Sequence, residues 1–141
     1  MSYQQWTENG FGFELWTGHN SKDIVEFICA HESSLTDSVK EKLRSCDDEY
    51  DLCEELGQFA SGEIACIINE AEGTTVFRGF DPCGDTDQYE MIGVGEFHPW
   101  DLITEKDREM SRDDAEEILL KYMKILKVDG KPDYFEAHYG G

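Results

Sequence analysis

From Gly10 to Thr17 apolar residues alternate with small or polar ones: Phe11, Phe13 and Leu15 share one face, and Gly12, Glu14 and Trp16 the other. A period of two predicts a strand, here one with a partly covered second face. After Asn20, a residue suited to capping a helix, the period changes. Ile24, Phe27, Ile28 and His31 recur at the spacing of one helix face. Leu35, Val39 and Leu43 repeat that spacing and predict a second helix from Thr36 or Asp37 to Arg44.

The segment Asp47–Leu56 reads as a short acidic helix closed by Gly57, with an apolar stripe of Cys46, Tyr50, Cys53 and Leu56. Ser61 then offers a cap for a helix through Ala71, whose inner face is Ile64, Ile67 and Ile68 and whose end is Gly73. Thr74–Phe80 is rich in strand formers. The loop Asp81–Asp87, with Pro82 and Gly84, leads to a further strand at Gln88–Phe97, so the pair resembles an antiparallel hairpin with a long connection. Ser111 and Asp114 form a capping-box start to the clearest helix, Arg112–Lys127, with Ala115, Ile118, Leu119, Tyr122 and Leu126 inward. Asp129-Gly130 turns the chain, and Asp133–Tyr139 alternates as a last strand.

The order β-α-α-α-α-β-β-α-β predicts an α+β fold: about four mainly antiparallel strands with helices packed on one face. With 141 residues and no repeat, linker or low-complexity segment, residues 1–141 read as a single compact domain. Aromatic residues make up 12% of the chain, far more than an acidic disordered tail would carry.

Charge changes the picture. The formal net charge is −20, and it is concentrated: Ser45–Thr104 holds fifteen carboxylates and one base, Arg78. Like charge at that density costs folding energy through self-repulsion, so a use for it is expected. It disfavours direct binding to nucleic acid or an anionic bilayer, since phosphates attract Lys and Arg. Solubility alone is the bland explanation; a strongly basic protein partner is the other.

No apolar run approaches the length of a membrane span, and the start Met-Ser-Tyr-Gln-Gln-Trp lacks the basic and apolar regions of a signal peptide, so a cytoplasmic location is expected. The five cysteines, Cys29, Cys46, Cys53, Cys66 and Cys83, contain no CxxC and are expected as reduced thiols. Cys29 and Cys66 fall inside apolar helical patterns. His19, His31, His98 and His138 are scattered, without HxH or HExxH. Counted from Asp81, the Gly and Glu positions of a calcium loop are Thr86 and Ile92, so that motif fails. No nucleophile elbow, P-loop or GxGxxG occurs. The expectation is a protein with no enzymatic activity, cofactor or metal.

Within Asp47–Leu56, Asp47, Asp51 and Glu54 or Glu55 fall at helical spacing on one face. Four residues of helix rise about 6 Å, so such a row offers basic side chains a phosphate-like track. The partner-binding residues expected here are Asp47, Asp48, Glu49, Asp51, Glu54 and Glu55. They are extended by Asp81, Asp85, Asp87 and Glu90, with Trp100 as an aromatic anchor. The acid also continues through Glu63, Glu70, Glu72 and Glu96.

In charge and size the chain resembles the small acidic inhibitors that phages use against host nucleases, the anti-CRISPR and DNA-mimic class. That resemblance implies an acidic face occupying an Arg- and Lys-lined channel, for instance of a Cas nuclease such as Cas9, and assigns no motif residues. Ser2-Tyr3-Gln4, Trp6, Gly10-Phe11-Gly12 and Lys121–Leu126 also resemble short acidic proteins of gut anaerobes and their mobile elements. The alternative is an immunity protein or antitoxin that neutralises a basic toxin nuclease by the same electrostatics.

Overall fold

The computed structural model describes residues 6–32, 34–46, 49–57, 59–80, 90–95, 102 and 104–139. Among them the chain forms strands β1 (Trp6–Glu14), β2 (Phe77–Phe80), β3 (Met91–Gly95) and β4 (Asp133–Tyr139). The helices are α1 (Ser21–His31), α2 (Asp37–Arg44), α3 (Glu49–Leu56), α4 (Ala60–Glu72), α5 (Glu105–Glu109) and α6 (Arg112–Ile125). The sheet runs β2-β3-β1-β4 with every pairing antiparallel, so the fold is α+β with helices packed against the sheet, as the periodicities predict.

β1 and β3 are the two inner strands, and β3 also pairs with β2 from Met91 to Val94, while β1 is the longer of the two. It pairs with β3 from Gly10 to Glu14 and with β4 from Trp6 to Gly12. The β4 pairing explains why β1 begins four residues before the apolar alternation does. Phe11, Phe13 and Leu15 face the helical layer with Ile92 and Phe77, and are buried there with Ile24, Phe27, Ile28, Ile64, Ile68 and Leu119. α4 lies on β2 and β3, and α6 on β1. Phe27 of α1 meets the Tyr122 ring of α6 edge to face, 5.9 Å between centroids.

The opposite face is built on glycine. Gly12 and Gly93 stand opposite each other, and a Cβ on Gly12 would lie 1.9 Å from the Ile92 carbonyl oxygen. The Phe135 ring of β4 fills the space that a Gly10 side chain would take. It meets Phe80 of β2 edge to face at 4.8 Å, although β2 and β4 are opposite edges of the sheet. Arg78, the single base of the acidic block, sits 4.4 Å from the Phe80 ring centre.

Helix ends follow their local chemistry. Ser111 and Asp114 cap α6 reciprocally, as expected. At its other end the Val128 amide reaches the Met123 carbonyl at 2.8 Å and Lys127 takes φ 59°. This is a Schellman ending with lysine where glycine is usual. α5 lacks an apolar period and is set by a Thr104/Asp107 capping box.

Several expectations are corrected. Asn20 makes no side-chain cap to α1. Buried, it donates to the carbonyls of Leu15 and Leu126 at 2.8 and 2.9 Å, tying the end of β1 to the end of α6. α4 starts at Ala60 rather than being capped by Ser61. His31 is exposed, its ring resting 4.4 Å from that of Phe27, and Cys66 lies on the exposed side of α4. β2 begins at Phe77 rather than Thr74, because Thr74 and Thr75 bond the side chains of Asn69 and Asp107.

Candidate partner-binding surface

α3 packs mainly against α2 and α4, and its Cys53 thiol reaches the Glu90 carboxylate beside β3. The helix is anchored by Leu52, 1% exposed, with Cys53 and Leu56 half-buried beside it. Leu52 is its fully buried contact and is not part of the expected stripe, of which Cys46, Cys53 and Leu56 are half-buried and the Tyr50 side chain lies outside the described residues. This anchoring turns Asp51, Glu54 and Glu55 to solvent, so three of the expected residues share one exposed side. The backbone of Glu49 belongs to the helix. Asp47, Asp48, Asp81, Asp85, Asp87 and Trp100 lie outside the described residues.

The placement of Glu54 and Glu55 is electrostatically unfavourable. They occupy the last turn of α3, where the negative end of the helix dipole disfavours carboxylates, and no basic residue stands in that turn. Neither forms a salt bridge among the described residues. The contrast is α4, whose last turn also lacks a base of its own. There Glu72 receives Lys121 at 2.7 Å and Tyr122 at 3.0 Å, while Lys106 donates to the Glu72 carbonyl at 2.7 Å. The hydrogen bond from Lys121 holds the Glu72 carboxyl below its ordinary range, against the opposing effect of burial. Burial, with Glu72 behind it, pushes the Tyr122 hydroxyl up to about 12. Glu72 is therefore committed to the fold, not to a partner.

Glu90 is a correction of the same kind. Expected on the partner-facing surface, it is 5% exposed and points inward at the start of β3. Its Oε1 accepts the Ser61 amide at 3.0 Å and its Oε2 accepts the Trp16 indole N–H. Phe59, the N-cap of α4, has no side-chain acceptor to offer. Glu90 replaces the missing cap from another element, and its charge sits at the positive end of the α4 dipole. Gly79 of β2 permits the neighbouring approach: a Cβ there would lie 2.6 Å from the Gly62 amide nitrogen.

Two further carboxylates are taken up internally. Asp107, 2% exposed, accepts the Thr75 amide at 2.9 Å, the Thr75 hydroxyl at 2.6 Å and the Thr104 amide at 3.1 Å. Burial pushes its carboxyl up, but these hydrogen bonds together leave it below its ordinary value. Glu32 at the end of α1 is held low by a hydrogen bond with Glu63 of α4 and by Ser34. The acid is thus divided between carboxylates that hold elements together and exposed ones, among which those of α3 form the described core of the expected surface; Glu70 is also exposed.

Among the described residues no group of three His, Cys, Asp or Glu converges to hold a metal ion, and no helix is long and apolar enough to cross a membrane. An apolar hollow of about 340 Å³ opens between β1, β3, β4 and the start of α6, lined by Phe11, Val94, Met110, Ala115 and Tyr134. The chain matches no family model, and comparisons with curated proteins and with solved structures found no match.

Proposed function

We propose that the chain is an acidic inhibitor that binds a basic nucleic-acid-binding effector and blocks its DNA-binding surface, with a CRISPR Cas nuclease such as Cas9 as the leading target. The observation that carries this reading is the last turn of α3. Glu54 and Glu55 are exposed there at a position where the helix dipole opposes them and no base in that turn offsets them. Solubility alone is served as well by acids placed at a helix N-terminus, where they stabilise. Acid retained where it destabilises, in a chain already at −20, fits a surface kept for a partner. Cas9 reads its PAM with arginines and holds the guide–target heteroduplex in a positively charged channel, so exposed carboxylates at helical spacing suit it. Association of this kind is steered by charge and slows as salt rises.

The test is charge reversal: Asp51→Lys, Glu54→Lys and Glu55→Lys together. The variant should lose capture and inhibition of the target nuclease. Its thermal stability should stay close to that of the parent. The lysines replacing Glu54 and Glu55 each gain about 0.3–1 kcal/mol from the dipole at the end of α3, while the one replacing Asp51 in the first turn loses a similar amount. Inhibition undiminished in a folded triple variant would remove α3 from the binding surface.

A further inference from the structure

Among the described residues β4 is hydrogen-bonded on one side only, to β1. The Tyr134 amide donates to the Asp133 carboxylate at 2.8 Å, so it points away from β1. By the two-residue period of a strand, the amides of Glu136 and His138 share that outward direction. Among the described residues β4 is therefore a seven-residue edge, long for a strand bonded on one side, and it contains no Pro, Lys or Arg. Edges are usually blunted by lysine, proline or a bulge. β4 carries acids instead: Asp133, held over the Tyr134 amide, and Glu136, exposed. Lys131 precedes the strand, and Arg112, 3.7 Å from Glu116, leans towards the Tyr134 ring at 5.7 Å, but the strand itself is acidic. Tyr134, 64% exposed, stands between the apolar hollow of about 340 Å³ and a larger, mixed one of about 680 Å³, where Phe13 and Trp16 stand beside Glu14, Asp129, Lys127 and Lys131.

We infer that the outer edge of β4 is a charge-gated strand acceptor, which takes an extended basic segment of the partner by main-chain pairing. This rests on the partner being basic, as proposed above. Backbone pairing along Tyr134–His138 supplies affinity, and alternate side chains of the incoming segment reach the hollows beside Tyr134. A lysine or arginine of that segment draws the Asp133 carboxylate off the Tyr134 amide and frees the N–H for pairing. A second copy of this chain brings another −20 and sets further acids beside Asp133 and Glu136, so charge excludes it.

The probe is a synthetic peptide of alternating valine and lysine or arginine, compared with the same peptide N-methylated at alternate amides. The parent peptide should slow hydrogen exchange at the amides of Tyr134, Glu136 and His138. Neutralising Asp133→Asn with Glu136→Gln should weaken its binding about fivefold, the worth of two cross-strand charge pairs. Equal binding by the N-methylated peptide, or protection confined to α3, would overturn the inference. In parallel, full-length protein carrying the same double substitution is used to capture the basic nuclease. Capture unchanged by this variant but lost with the α3 reversal would also overturn the β4 assignment, while leaving the inhibitor reading standing. Failure of the unaltered protein to capture any basic nuclease would count against that reading, whatever the peptide does.

Discussion

Glu90 shows how little a side chain's charge says about its place. Its neighbours in sequence gave no sign of burial, yet three donors hold it inside: the Trp16 indole, the Cys53 thiol and the Ser61 amide at the N-terminus of α4. Replacing Glu90 with Ala leaves the Trp16 indole and the Ser61 amide without their acceptor and α4 without its borrowed cap. Denaturant unfolding should show a loss of about 2–4 kcal/mol. Tyr122 gives the fold a dependence on alkali. Its folded value is raised from 10.0 to about 12, so the stabilisation is fully present below pH 10 and is lost as pH rises to about 12. A Tyr122→Phe variant should lose that decline in stability across the same window, and absorbance titration of the native protein should find one tyrosine ionising last. Glu72 works in the opposite direction. Lowered from 4.5, its carboxyl adds stability above that pH, which is lost on acidification through the folded value.

At the scale of elements, the regular parts of this chain could be read from its periods. β4 is found with the bounds that alternation predicts, and α6 starts where Ser111 and Asp114 place it. What could not be read was set by partners far along the chain. α5 has no apolar repeat, and the one local signal for it is Thr104 three residues before Asp107. Asn20 reads as a cap because nothing local reveals that Leu126, 106 residues on, supplies its acceptor. The inward turn of Glu90 depends on α4 lacking a cap, which the strand's own sequence does not contain. The exposed acids of α3 were legible as a row, whereas the burial of Leu52 beneath them was not. The glycines of the central strands are equally a matter of contact. Gly12→Ala drives a methyl group into the Ile92 carbonyl, parts β1 from β3 and should cost about 3 kcal/mol in thermal or denaturant unfolding.

For the whole molecule the governing quantity is charge. The fold holds together against a net −20, and its described ion pairs are few and mostly exposed. Raising NaCl from 0.01 to 1 M shortens the screening length from roughly 30 Å to roughly 3 Å and quiets this repulsion. The melting temperature should therefore climb with salt while partner association slows, opposite responses to one variable. A melting temperature that is flat or falling in salt would show that repulsion is no burden to this fold. The contact between Phe80 and Phe135 adds a mechanical consequence. Those rings join the first and last strands of the sheet across two others, like a clasp closing the ends of a band. Fraying of either outer strand strips the other of its aromatic neighbour, so the two margins are lost as one cooperative unit, and the sheet has no margin that can peel away alone.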